Sequence, residues 1–154
     1  MLFLVVAACV TLLASCASEP PGYSPTQPTK IVCGCHDGTT CYEATAALAS
    51  SRGENADSAE ELLYLAQCAC FQGSFAGCNT LGHFVKDHLA ACERDEETAT
   101  SCSVAGFVHL HGMSVPRMSG RSHDHDYAAA HIAFARACKA GAAAACRADA
   151  SAPR

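Results

Sequence analysis

The sequence predicts an all-α fold, a short solenoid of α/α-hairpins stapled by disulfides. Three observations predict it. Apolar residues recur at helical spacing in separate stretches, divided by short turns rich in Gly, Pro, Asp or Ser. Cysteines recur eight residues apart at three places, Cys33/Cys41, Cys70/Cys78 and Cys138/Cys146. Small residues abound, while aromatics make up only 6% and Trp is missing. That composition suits closely approaching helices better than a large aromatic core. One helix hairpin cannot bury its own face, so it needs neighbours of its own kind.

Residues 1–15 read as a lipoprotein-type signal peptide. Their apolar run, from Leu2 to Leu13, is too short to span a bilayer as a stable helix. It ends in Leu13-Ala14-Ser15-Cys16, which resembles the bacterial lipobox. Such a site needs small residues before the cut and a thiol after it to carry lipid, which makes Cys16 the expected lipidation site. An ordinary secretory signal cut near Ala17 is the alternative. Residues 16–30 are dominated by Pro, Ser and Thr without an apolar period, and read as an extended, solvated tether. Residues 31–154 are the expected folded domain.

Charge and cysteine content narrow the function classes. The chain of 154 residues carries 10 Lys+Arg against 15 Asp+Glu, a net charge of −5. No basic patch exists, so nucleic acid is not an expected partner. Of 12 cysteines, removing Cys9 and Cys16 leaves 10, an even number. That density behind a secretory signal reads as a disulfide framework in an oxidising space. Metal binding by these cysteines is the weaker reading. Cys33-Gly34-Cys35-His36 has one residue between its cysteines, whereas haem attachment needs two, and paired Cys-x2-Cys spacings are absent.

Residues 31–41 read as a Gly-rich turn, followed by a helix over 42–51 that ends at Arg52-Gly53. Asp57-Ser58 opens a second helix with Ala59, Leu62, Leu63, Ala66, Ala69 and Cys70 on one face. Its first turn holds Glu60 and Glu61, which complement the positive helix end. Over 78–92, Cys78, Leu81, Val85, Leu89 and Cys92 keep an unbroken period, which favours one helix over two stunted ones. Residues 93–98 form an acidic turn. Then come a short apolar helix over 104–111, a Gly/Pro loop, and a longer helix with Tyr127, Ala130, Phe134 and Cys138 on one stripe. Asp126 caps it by accepting free amide protons of its first turn. A last Ala-rich helix over 142–150 closes the stack.

Several of these residues carry a resemblance. The order Gly-aromatic, His-Gly, Val115-Pro116, then Asp126-Tyr127 with Ala130, then Ala137-Cys138 with Gly141 and Cys146, resembles the Sel-one-like repeat, a relative of the tetratricopeptide repeat. More narrowly, it is similar to the Helicobacter cysteine-rich protein family. Cys70, Gly73 and Cys78 repeat the closing pattern. Two departures stand out: about eight extra residues over 117–124, and only 13 residues between Cys78 and Cys92 where about thirty are expected. The pattern and the turn positions together imply bridges Cys70–Cys78, Cys92–Cys102 and Cys138–Cys146. The sequence leaves the pairing of Cys33, Cys35, Cys41 and Cys68 open; the same offset would give Cys33–Cys41 and leave Cys35–Cys68. Each such loop stabilises by roughly 2–3 kcal/mol in the chain-entropy model.

Catalytic motifs are missing. Lys30, Lys86 and Lys139 follow Gln27, His83 and Arg136 at three residues, so no Ser-x-x-Lys exists. His-x-His-x-Asp-His and His-Glu-x-x-His are absent too. His109, His111, His123 and His125 are the remaining metal-ligand candidates. Residues two apart on a helix point about 200° from each other, so convergence needs two local irregularities, and no tight metal site and no cofactor are expected. The expected function is a lipid-anchored, monomeric scaffold at a bacterial cell envelope, facing the periplasm or the outside, that binds an unidentified protein or peptide. The alternative, implied by the resemblance alone, is a weak binder or hydrolase of β-lactams or cell-wall amides.

Overall fold

The computed structural model describes residues 33–113 and 124–153. The expected signal peptide and tether (1–15 and 16–30), Cys16 and His123 lie outside the described residues, as do most of residues 117–124. Among the described residues all regular structure is helical: α1 (Gly38–Arg52), α2 (Ala59–Phe71), α3 (Phe75–Glu93), α4 (Thr98–His111), α5 (Tyr127–Lys139) and α6 (Ala143–Ser151).

Local chemistry sets most boundaries. α1 starts four residues before the expected 42, because Asp37 caps it by accepting the Thr40 amide proton at 2.8 Å. It stops at Gly53, whose φ of +77° suits a residue without Cβ. Ser58 precedes α2, but its hydroxyl donates to the Gly53 carbonyl at 2.7 Å instead of capping. α3 is one continuous 19-residue helix, as its unbroken apolar period implies, and Ser74 caps it through the Gly77 amide at 3.0 Å. Asp126 caps α5 by accepting from the Ala129 amide at 2.9 Å.

α4 corrects the expected start at 104. It begins at Thr98, and its residues 101–108 are all buried. The extra turn contains Thr and Ser and shows no apolar stripe. Its hydroxyls are satisfied by backbone carbonyls instead: Ser103 donates to Ala99 at 2.6 Å and Thr98 to Asp95 at 3.0 Å.

Each helix packs on the next, and alternate helices also touch, α1 on α3, α2 on α4 and α4 on α6. Helices α1, α3 and α5 thus make one layer and α2, α4 and α6 the other. α4 lies at the centre. Phe134 of α5 is fully buried, packs on the α4 backbone at Gly106 and meets Phe107 edge-to-face at 4.9 Å.

Among the described residues there are five disulfides. Three span helix-to-helix turns: Cys70–Cys78 (Cα–Cα 4.3 Å), Cys92–Cys102 (4.8 Å) and Cys138–Cys146 (4.8 Å). The other two differ from expectation. Cys33 joins Cys68 and Cys35 joins Cys41, where Cys33–Cys41 and Cys35–Cys68 were expected from the spacing. The eight-residue rule describes a turn between two helices, and residues 33–37 are not one. The Asp37 cap puts Cys41 in the first turn of α1, so the chain folds Cys35 back onto it. Cys33, two residues further out, reaches α2. These four cysteines form a small second core with Ala69, Tyr42 and Tyr64.

Candidate functional site

Two shallow grooves among the described residues lie on the α1/α3/α5 side. One lies between α3 and α5 and is floored by α4. Leu89 and Cys92, Ala105 and His109, and Ile132, Ala133 and Arg136 line it around a cavity of ≈ 180 Å³. The other lies between α1 and α3 and is floored by α2. Tyr42, Thr45, Ala46 and Ala49, Leu62 and Ala66, and Thr80 and Phe84 line its ≈ 160 Å³. The two are equivalent positions of one layered pattern. Their walls are mostly apolar, and both are smaller than the ~300 Å³ at which small-molecule pockets begin.

Side chains at the first groove are unequally committed. Ile132 is 63% exposed on its rim. Arg136 donates to the Cys92 carbonyl at 2.6 Å and pairs with Asp95, so it ties α5 to the end of α3. Glu93 stands on the rim, exposed.

His88 sits in the same layer, beside the second groove. Its ring meets Phe84 edge-on at 4.5 Å, and its Nδ1 lies 3.3 Å from the Ser101 hydroxyl. Burial pushes the imidazole below its ordinary value, while the negative charges of Glu54, Glu97 and Asp87 oppose that shift more weakly. A Ser–His pair suggests nucleophilic catalysis. Ser101, however, is 0% exposed, so no substrate carbonyl reaches its oxygen. The pair links α3 to α4.

The histidines expected as metal candidates take separate roads. α4 continues to His111, so His109 and His111 stay on opposite sides of a helix. His109 lines the first groove. His111 stacks on Phe107 and lies 3.1 Å from Glu60 of α2. Nδ1 of His125 is 2.8 Å from the Leu110 carbonyl, so that nitrogen carries the proton. Among the described residues no three His, Cys, Asp or Glu side chains are placed to share an ion. All ten described cysteines are bridged.

His131 is a boundary residue, partly buried, and sequence reasoning did not find its contacts. Its Nδ1 faces the Asp149 carboxylate at 2.7 Å and its Nε2 the Pro153 carbonyl at 2.9 Å. It fastens the end of the chain to α5. No local signal could have revealed this contact, the His88–Ser101 pair or the Arg136–Asp95 pair, because their partners lie 18, 13 and 41 residues apart.

No helix among the described residues is long and apolar enough to cross a membrane. No protein-family model, curated protein or solved structure matches this chain.

Proposed function

We propose that this chain is a lipid-anchored protein of an oxidising, extracytoplasmic space at a bacterial envelope, and that it holds an extended peptide segment along the α1/α3/α5 layer. The observation that carries this reading is the pair of equivalent grooves. Each is too small for a cofactor-sized ligand, but their α3 walls, Thr80 and Phe84 against Leu89 and Cys92, lie about 13 Å apart along that helix, so the two in succession suit side chains about four or more residues apart on one extended peptide. The exposed Ile132 supplies apolar surface at the groove mouth.

Two further facts support the compartment. Ten described cysteines in five bridges fit oxidising surroundings. The Leu13-Ala14-Ser15-Cys16 run supplies a route to a lipid anchor, as a lone acceptor thiol behind an apolar segment. The Sel-one-like resemblance of the turns after Cys70 and Cys138 agrees with a binding scaffold. Net charge −5 argues against nucleic acid as the partner.

Fluorescence anisotropy with labelled peptides carrying two or more apolar side chains tests the reading. Ile132→Asp in one groove and Ala46→Asp in the other should each weaken binding about tenfold, roughly 1.4 kcal/mol. Arg147→Ala, on α6, should leave it unchanged. Peptide affinity indifferent to both groove substitutions would reject the grooves as the site.

A further inference from the structure

Phe71 and Phe75 flank the turn between α2 and α3 and are 50% and 74% exposed. An internal control shows that the turn does not need them. The α5–α6 turn repeats the same construction: a cysteine pair eight apart, and a Gly at positive φ (Gly73 at +91°, Gly141 at +97°). The hydrogen bonds match as well. Gly73 donates to Cys70 and Ser74 to Ala69, while Gly141 donates to Cys138 and Ala142 to Ala137. In this twin the places of Phe71 and Phe75 are taken by Lys139 and Ala143. The two rings therefore serve something outside the fold.

Position and charge indicate what. Cys33, where the described chain begins, is bridged to Cys68, three residues before Phe71. The start of α1 lies in the same place, with Gly38 against the Gln72 carbonyl and the Ser74 amide. The chain thus enters the domain at this tip. Sixteen residues separate Cys16 from Cys33, a reach of at most about 55 Å. The stretch between Glu61 and Lys86 contains no Asp, Glu, Lys or Arg, in a chain that is 16% charged. The twin turn has Arg136, Lys139 and Arg147 around it.

We infer that the Phe71–Phe75 tip inserts into the interface of the lipid bilayer and seats the domain on it, an inference that rests on lipid attachment at Cys16. Exposed Phe rings gain by burial at the boundary between headgroups and acyl chains. The α2–α3 turn carries no charge and loses little hydration on entering it, and the one carboxylate at the start of α1, Asp37, is already held by the amide and hydroxyl of Thr40. The tether multiplies the effect, since it holds the tip at high local concentration near the surface. With the tip down, α3 rises about 28 Å from Phe75 to Glu93, so the acidic turn after it stands clear of the membrane.

The chain has no Trp, so a single substitution makes a clean reporter. Full-length, lipid-modified protein is reconstituted into phosphatidylcholine vesicles as the Phe75→Trp variant and, separately, as Ala143→Trp. Flotation with vesicles reads the anchor; quenching by brominated acyl chains reads the tip. The Phe75→Trp emission should shift to the blue and lose most of its intensity, at low and high salt alike, while Ala143→Trp does neither. A Phe75→Trp protein that floats but is not quenched overturns the insertion and leaves the anchor standing. Failure to float removes the anchor, and the insertion with it. A blue shift without lipid that grows with protein concentration would assign the tip to a second copy of the chain and also overturn the proposal.

Discussion

At Gly106 the α4 backbone meets the ring of Phe134, and a Cβ built there would overlap that ring. Two effects of Gly106→Ala oppose each other. Helix propensity favours Ala by about 1 kcal/mol, while overpacking costs about 1–3 kcal/mol. The ring is pinned edge-on against Phe107, so it cannot yield, and overpacking should win. Urea unfolding should show a net loss of about 1 kcal/mol or more. Phe134→Leu, costly alone, should cost less when combined with Gly106→Ala, because the smaller side chain relieves the overlap. Strictly additive losses would contradict the contact.

His88 sets a second residue-scale expectation. Burial holds its folded-state value below the ordinary 6.5, so between those values the unfolded chain binds more protons. This group's contribution is complete above pH 6.5 and is lost as pH falls through the lower folded value. Stability measured from pH 7.5 downward should decline, and His88→Gln, which keeps a partner for Ser101, should flatten that part of the profile. An unchanged slope would show that the decline comes from elsewhere.

At the scale of elements, legibility followed apolar periodicity. α3 and the Asp126 start of α5 were readable because one keeps a clean stripe and the other a strong cap. The first turn of α4 was not. Its Thr and Ser residues look like loop, and they are buried only because neighbouring helices surround them. The pairing of Cys33, Cys35, Cys41 and Cys68 was not readable either. Spacing alone does not say that Asp37 begins a helix and folds Cys35 onto its first turn. Peptide mapping without reduction should recover Cys33 linked to Cys68 and Cys35 linked to Cys41. The Cys138→Ser, Cys146→Ser double variant, which opens an eight-residue loop, should lose about 2–3 kcal/mol and remain folded. A Cys33–Cys41 link would restore the simple offset rule and displace the cap argument.

The whole molecule combines a thin core with covalent reinforcement. Many of its buried residues are Ala, and Phe134, Leu63 and Leu81 are the largest fully buried side chains among the described residues. Stacked helices of this kind leave furrows between neighbouring members of a layer, and here two of them fall in equivalent places. The grooves could not be read from the sequence. Their lining comes from three helices at a time, and several of their residues, such as Ala46 and Ala49, carry no motif. The central claim is that this layer holds a peptide. Site-specific photo-cross-linking in the native envelope tests it most directly, with the reactive group placed at Ala46, at Ile132 and, on the opposite layer, at Arg147. The account predicts that Ala46 and Ile132 capture one and the same polypeptide and that Arg147 captures none of it. Capture from Arg147 alone, or different polypeptides at the two grooves, would contradict it.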